Sequence, residues 1–290
     1  MKNQNLKKLV KDYWEKDPCE SRSGRGLKDK REFFQAIDKY RYEKSSFIFK
    51  FADFKSGRGK KVLEIGPGSS SDFIRWARNG AILYGRDLTE ASVNLCLERL
   101  KLENLQADIK TGDAENLDFP DNFFDIVYSY GTIHHTPDTE KAIEEIYRVL
   151  KPGGVAKVMI YHSGGLTWKY EWILFALLKL KFWKSLKQIA YEYNESPGTK
   201  IYSKKEARCL FRKFTNLKIE TIVDAGDTLD FQLSDRYRDN FLIKSIKCIF
   251  SFLKYLRPYI PSSFGTTMLI EARKPANLKE YLENKSVEIF

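Results

Sequence analysis

From Lys60 to His162 the chain alternates short apolar runs with amphipathic stretches, a rhythm few folds accommodate. KVLEI (61–65), AILYGRD (81–87), QADIKTGD (106–113), FDIVYSY (124–130) and GVAKVMIYH (154–162) read as strands. The intervening stretches 71–79, 90–101 and 139–150 read as helices. Strands alternating with helices predict an α/β fold, a doubly wound parallel sheet built by right-handed crossovers. Such sheets bind ligands beyond the carboxyl ends of their strands. LKPGG (150–154) reads as a helix stop and turn feeding the fifth strand.

The first strand runs into a glycine turn, EIGPGSSS (64–71), at that ligand-binding edge. A dinucleotide site needs a third glycine where Ser71 stands, and a phosphate-binding P-loop needs a Lys-Ser or Lys-Thr pair that is absent. Glu64, just ahead of the turn, would repel a pyrophosphate and attract an ammonium. Asp87 ends the second strand, where a carboxylate can accept from both hydroxyls of a ribose. Asp113 follows the third strand, where an acid can accept from an adenine amino group. A ligand with an ammonium, a ribose and an adenine but no phosphate is S-adenosylmethionine.

VLEIGPG (62–68), GRDLT (85–89), GDAENLDFPDNFFDIVYSYGTIHHTPD (112–138) and RVLKPGG (148–154) stand in the order and spacing of a known family. Over residues 60–162 the chain resembles the class I S-adenosylmethionine-dependent methyltransferases, of the small-molecule, type 11 subgroup. The resemblance implies a Rossmann-like sheet of seven strands with the last antiparallel. It implies that Glu64, Gly66 and Gly68 hold the methionine end of the cofactor, and that Asp87 takes the ribose. Leu88 would line the adenine, Asp113 and Ala114 would meet its edge, and Tyr130 would approach the methionine portion. It also implies an N-terminal lid carrying Tyr13 in DYW (12–14), with Tyr42 in RYE (41–43) reaching the cofactor's carboxylate. Pro67 and the serines at 69–71 depart from the small residues many members carry there.

The three histidines, His134, His135 and His162, follow the fourth and fifth strands, at the edge where an acceptor must sit. If the acceptor is a hydroxyl, a histidine there can take its proton. Packing against the cofactor is the favoured reading of the pair; His135 is the better candidate base and His162 the next. Beyond them lies an aromatic helical insert with Trp168, Tyr170, Trp172, Phe175, Phe182, Trp183, Tyr191 and Tyr193. It is expected to cap an apolar or ring-shaped acceptor, about half of these residues serving only as core. In FLIKSIKCIFSFLKYLRP (241–258), Lys244, Lys247, Ser251 and Lys254 form one helical stripe. Such a helix is either buried or lies on an anionic membrane surface.

The formal charge of +11 suits an acidic partner or simply a solvated, lysine-rich surface. No NPPY-type base-flipping motif follows the fourth strand, so nucleic acid is not the expected substrate. Four scattered cysteines predict neither a disulfide framework nor a metal site. A charged N-terminus and no long apolar run predict a cytoplasmic protein, a monomer or homodimer. The expected organisation is a helical lid (1–58), a cofactor-binding core (59–162) and a helical cap (163–216). C-terminal strands (217–275) and a tail (276–290) complete it. The expected activity is methylation of a small molecule, most readily at oxygen of a natural product, saccharide or quinone-like acceptor. S-adenosylhomocysteine would be the product, with no metal. N-methylation, a lipid-linked or macromolecular acceptor, and a cofactor-binding fold without catalysis are the alternatives.

Overall fold

The computed structural model describes residues 2–177, 180–194, 196–230, 245, 248, 252–277 and 279–282. Five parallel strands are β1 (Lys61–Ile65), β2 (Ile82–Asp87), β3 (Asp108–Thr111), β4 (Phe124–Tyr130) and β5 (Leu150–His162). β6 (Ile201–Tyr202) is a two-residue strand on the tip of β5, β7 is Thr215–Ile222, and β8 is Thr267–Arg273. The main path runs β3-β2-β1-β4-β5-β8-β7, seven strands, with β6 beside it. β8, last in the chain, is antiparallel to both β5 and β7. The doubly wound sheet with an antiparallel last strand is therefore present. β6 is the addition, too short to carry a pattern.

Helices cover both faces. α1 (Lys2–Lys16), α2 (Lys30–Lys44) and α3 (Ile48–Ala52) precede the sheet. Next come α4 (Ser71–Arg78), α5 (Glu90–Glu103) and α6 (Thr139–Val149). α7 (Leu166–Trp172), α8 (Leu186–Tyr193) and α9 (Lys204–Leu210) follow, and a one-turn helix, α10 (Leu253–Leu256), precedes β8. Their starts carry local reasons: the side chains of Asp29, Thr89 and Asp138 accept from the first-turn amides of α2, α5 and α6. α9 begins on a Ser203–Glu206 capping box. β5 starts at Leu150, directly after α6, so LKPGG is already strand rather than a separate turn, with Gly153 at φ 78°. The register against β4 shifts between Phe124 and Ile126 to absorb it.

Two cores flank the sheet. One packs α6 and α9 through Ile143, Ile146 and Phe211 against Val127, Val158 and Ile270. The other packs α3, α4 and α5 through Ile48, Trp76 and Cys96 against Val62, Ile126 and Tyr128. On this second face Lys157 bridges to the carbonyl of Phe51 at 2.8 Å and to Glu271 at 3.2 Å, pinning α3 to the sheet.

Candidate functional site at the carboxyl edge of the sheet

Because β1 to β5 are parallel, their carboxyl ends meet at one edge, and every residue singled out on the strands stands there. Glu64 precedes the tip of β1 and is 3% exposed; its Oε2 has no hydrogen-bond partner. Burial, with the charges of Asp72 and Asp87 nearby, pushes its carboxyl well above the ordinary range, against the pull of Arg41. The loop then turns at Gly66 (φ 73°) and Gly68 (φ 54°). Asp87 is tied into this loop. One oxygen accepts from Gly68 N at 3.2 Å, the other from Thr89 N at 2.9 Å and Thr89 Oγ1 at 2.8 Å. Burial raises its proton affinity and these bonds pull it back. Leu88, Asp113, Ala114 and Tyr130 are half-buried along the same edge.

α1 lies across these tips. Lys7 reaches Asp113, and Glu15 accepts from the backbone amides of Glu90 and Ala91 at the start of α5. Trp14 packs edge-on against His135, ring centroids 5.5 Å apart, and Tyr13 packs edge-on against Trp14 at 4.9 Å. The histidine pair is buried, its rings 4.2 Å apart, and His134 lies 4.2 Å from the ring of Tyr161. Tyr161 in turn meets Trp168 at 5.2 Å. Trp14, the two histidines, Tyr161 and Trp168 thus form one aromatic wall above β4 and β5.

Within that wall His135 Nδ1 is 3.0 Å from Thr199 Oγ1 and 2.9 Å from Ser196 Oγ. The Thr199 hydroxyl donates to the Ser196 carbonyl; in the tautomer that carries Nδ1–H it accepts from the ring, and the lone pair is then on Nε2. Burial, helped by the charge of Lys200, lowers His135 to about 3. The same two causes, with His135 between them, lower His134 well below the ordinary range. His162 follows Tyr161 in the strand and so points to the opposite face. Its Nδ1 is 3.0 Å from the carbonyl of Gly265. The edge therefore brings His134 and His135 together with Trp14 and sets His162 apart.

Tyr42 does not point to an open site: its hydroxyl is 2.9 Å from Asp72 Oδ1 and 3.0 Å from the carbonyl of Ser71. That pairing exposes a network sequence reading missed. Arg41 donates to Asp72 through Nε at 3.0 Å and Nη2 at 2.5 Å, and to Glu20 through Nη1 at 3.0 Å. Tyr128 donates to Asp72 at 2.6 Å, and the Arg41 guanidinium lies 4.8 Å from the ring centre of Tyr130. One buried carboxylate at the start of α4 thus organises α2, β4 and the segment before α2. The RYE triplet was the available signal, with Arg41 rather than Tyr42 as its centre. Asp227 was also missed; it accepts from Leu166 N, Thr266 N and Thr266 Oγ1 and fixes the start of α7 to β8.

The insert's aromatics divide. Trp168 and Phe175 are buried, whereas Phe182 is 64% and Trp183 69% exposed. Lys244, Lys247 and Ser251 of the basic stripe lie outside the described residues, and Lys254 is exposed. Among the described residues, no helix is long and apolar enough to cross a membrane.

A family profile described as a methyltransferase domain matches residues 63–158. Over 150 residues the chain is 35% identical to phosphoethanolamine N-methyltransferase 2 of Caenorhabditis elegans, covering 51% of this chain and 34% of that one. It is 30% identical over 126 residues to the ubiquinone/menaquinone biosynthesis C-methyltransferase of Neisseria meningitidis, covering 42% and 51%. The matched part thus spans about a third to a half of these relatives' own length. Among solved structures, phosphoethanolamine N-methyltransferase 2 of Haemonchus contortus, in complex with phosphomonomethylethanolamine and S-adenosylhomocysteine, superposes with a TM-score of 0.56. Its identity is 19%, and the match covers 92% of this chain and 60% of that one. Motifs, sheet order and family profile agree: residues 63–158 of this chain are a methyltransferase domain of the class I, S-adenosylmethionine-dependent kind.

Proposed function

We propose that this chain transfers a methyl group from S-adenosylmethionine to a small-molecule acceptor held beneath α1, at the tips of β4 and β5. The observation that carries this reading is Glu64, a buried carboxylate with an unpartnered oxygen beside the glycine loop. A buried acid without a donor is costly, and an ammonium delivered to that oxygen relieves it. Asp87, Leu88, Asp113 and Ala114 then suit the ribose and adenine, and the backbone of Gly66 and Gly68 the methionine end. Bound S-adenosylmethionine supplies an electrophilic methyl on a positively charged sulfur. The chain's own work is alignment, exclusion of water by Trp14 and Tyr13, and reception of a proton. For a hydroxyl acceptor, His135 Nε2 is the base we favour: the imidazole is neutral at physiological pH and Ser196 and Thr199 hold its other nitrogen.

A second reading has its own support. The low proton affinity of His135 suits a nucleophile that needs no strong base, such as an amine arriving unprotonated. The relative named for N-methylation agrees with it. Calorimetry with S-adenosylhomocysteine tests the first step. One site per chain is expected, with affinity falling at least about tenfold in Glu64→Gln, where the attraction for the ammonium is lost. Unchanged affinity would remove Glu64 from the site. Radiolabel transfer to phosphoethanolamine and to a panel of phenols and quinols then separates the readings. A turnover loss of about 10²–10⁴ in His135→Gln marks a general base. Full turnover with the amine in the same variant supports alignment alone.

A further inference from the structure

The helical hairpin of α7 and α8 ends in a turn whose apolar side chains face solvent. Leu180 is 73% exposed, Phe182 64% and Trp183 69%, and the rings of the last two meet edge-on at 5.6 Å. Ile173 and Leu177, 45% and 46% exposed, lie four residues apart, and Leu180 follows at three. Ile173 and Leu177 belong to the π-helical turn that continues α7. The tip is built rather than frayed. Trp172 Nε1 donates to the carbonyl of Lys184 at 2.7 Å, and Lys181 N to that of Ala176 at 2.7 Å. A Ser185–Gln188 capping box starts α8, and Phe175 stacks on Tyr193 at 4.8 Å beneath. Leu180 even holds a left-handed conformation, φ 53°, that glycine or asparagine would adopt at lower cost.

Charge identifies what such a surface meets. Residues 173–191 contain four lysines and no acidic residue, in a chain of net charge +11. Lys184 pairs with Glu192 and Lys187 with Glu206. Among the described residues Lys181, between Leu180 and Phe182, has no ion-pair partner. Exposed aromatics with interleaved lysines suit the boundary of an anionic bilayer, where rings sit at headgroup depth and ammonium groups meet phosphate. We propose that the tip of this hairpin, Leu180 to Lys184, docks the protein on an anionic lipid surface. The membrane contact considered for residues 241–258 is thereby assigned to a different element.

The docking is independent of methyl transfer, so its test needs no acceptor. The full chain is sedimented with vesicles of phosphatidylcholine alone or phosphatidylcholine containing phosphatidylglycerol. Binding is expected to the anionic vesicles only, to weaken with salt, and to fall at least about tenfold in Phe182→Ser/Trp183→Ser. Lys181→Gln/Lys187→Gln should weaken it as well. S-adenosylhomocysteine affinity and thermal melting should stay at wild-type values in both variants, showing that the loss is not misfolding. Three results would overturn the proposal: wild-type protein left in the supernatant with anionic vesicles, the serine variant sedimenting as well as wild type, or a dimer by sedimentation velocity that the serine variant dissolves while no vesicle binding occurs.

Discussion

Lys7 in α1 donates to Asp113 at 2.6 Å and to Glu115 at 2.7 Å, binding the N-terminal helix to the segment just past β3. Glu15 makes the second attachment, to the start of α5. Both clasps are partly exposed, so each contributes no more than about 1 kcal/mol. A helix held this way opens far more often than the sheet beneath it. Lys7→Met/Glu15→Gln is expected to speed amide exchange of residues 2–16 by about tenfold while β1, β4 and β5 exchange as before. Added S-adenosylhomocysteine should slow α1 exchange in the wild type, the behaviour of a lid. Equal exchange with and without ligand would make α1 a fixed appendage.

Asp87 has two tasks that substitution can separate. It ties Gly68 to Thr89, shaping the loop, and its position at the end of β2 suits a ribose. Asp87→Ala should cost ligand affinity on the order of 2–4 kcal/mol, since charge-assisted bonds are involved. Asp87→Asn keeps an oxygen acceptor and should lose less while melting near wild type. Calorimetry with S-adenosylhomocysteine reads both; equal losses would mean that only the loop's shape matters.

What could be read without coordinates follows from how local each signal is. β1, β2 and β4 were legible because apolar runs end in glycine or an acid, and Glu64 and Asp87 were legible because strand ends are fixed by those runs. The Arg41–Asp72 pair was not. It joins α2 to α4 across 31 residues of sequence, and its partners are chosen by how helices cross, which no periodicity encodes. Phe182 and Trp183 were read with a cap because an aromatic residue in a helical stretch looks the same whether buried or presented. His135 was legible as a histidine at a strand tip. Its shelter by Trp14, 121 positions earlier, was not.

Gly66 is a point where the loop admits only glycine without strain. Its φ is 73°, and a Cβ there would come within 2.2 Å of Thr132 Oγ1 and 2.7 Å of Thr132 Cβ. Thr132 in turn lies 3.3 Å from the carbonyl of Gly66, joining the tips of β1 and β4. Gly66→Ala must therefore strain the backbone and displace Thr132. Stability should fall by about 2–4 kcal/mol. Pairing it with Thr132→Ser, which relieves part of the clash, should recover some of that loss. A denaturant titration of the single and double variants measures the coupling; independent effects would show that the loop moves freely of β4.

The buried histidine pair carries a pH signature whose sign can be worked out. In the native protein burial keeps His134 and His135 neutral, His135 down to about 3, whereas in the unfolded chain both take protons near 6.5. Below that pH the unfolded chain binds more protons than the native one. The stability linked to the neutral pair is thus complete above about 6.5 and is lost as pH falls toward 3. Within this window each histidine steepens the loss by up to about 1.4 kcal/mol per pH unit. His135→Gln keeps an amide for Ser196 and Thr199 and removes the titration. Urea unfolding at about pH 7.5 and again at about pH 4.5, roughly two units below the unfolded value, should show wild type losing about 2–3 kcal/mol more than this variant. Parallel curves would mean that His135 takes protons in the native state as readily as in the unfolded chain. That result would place it in contact with water and strengthen its case as a base working near neutral pH.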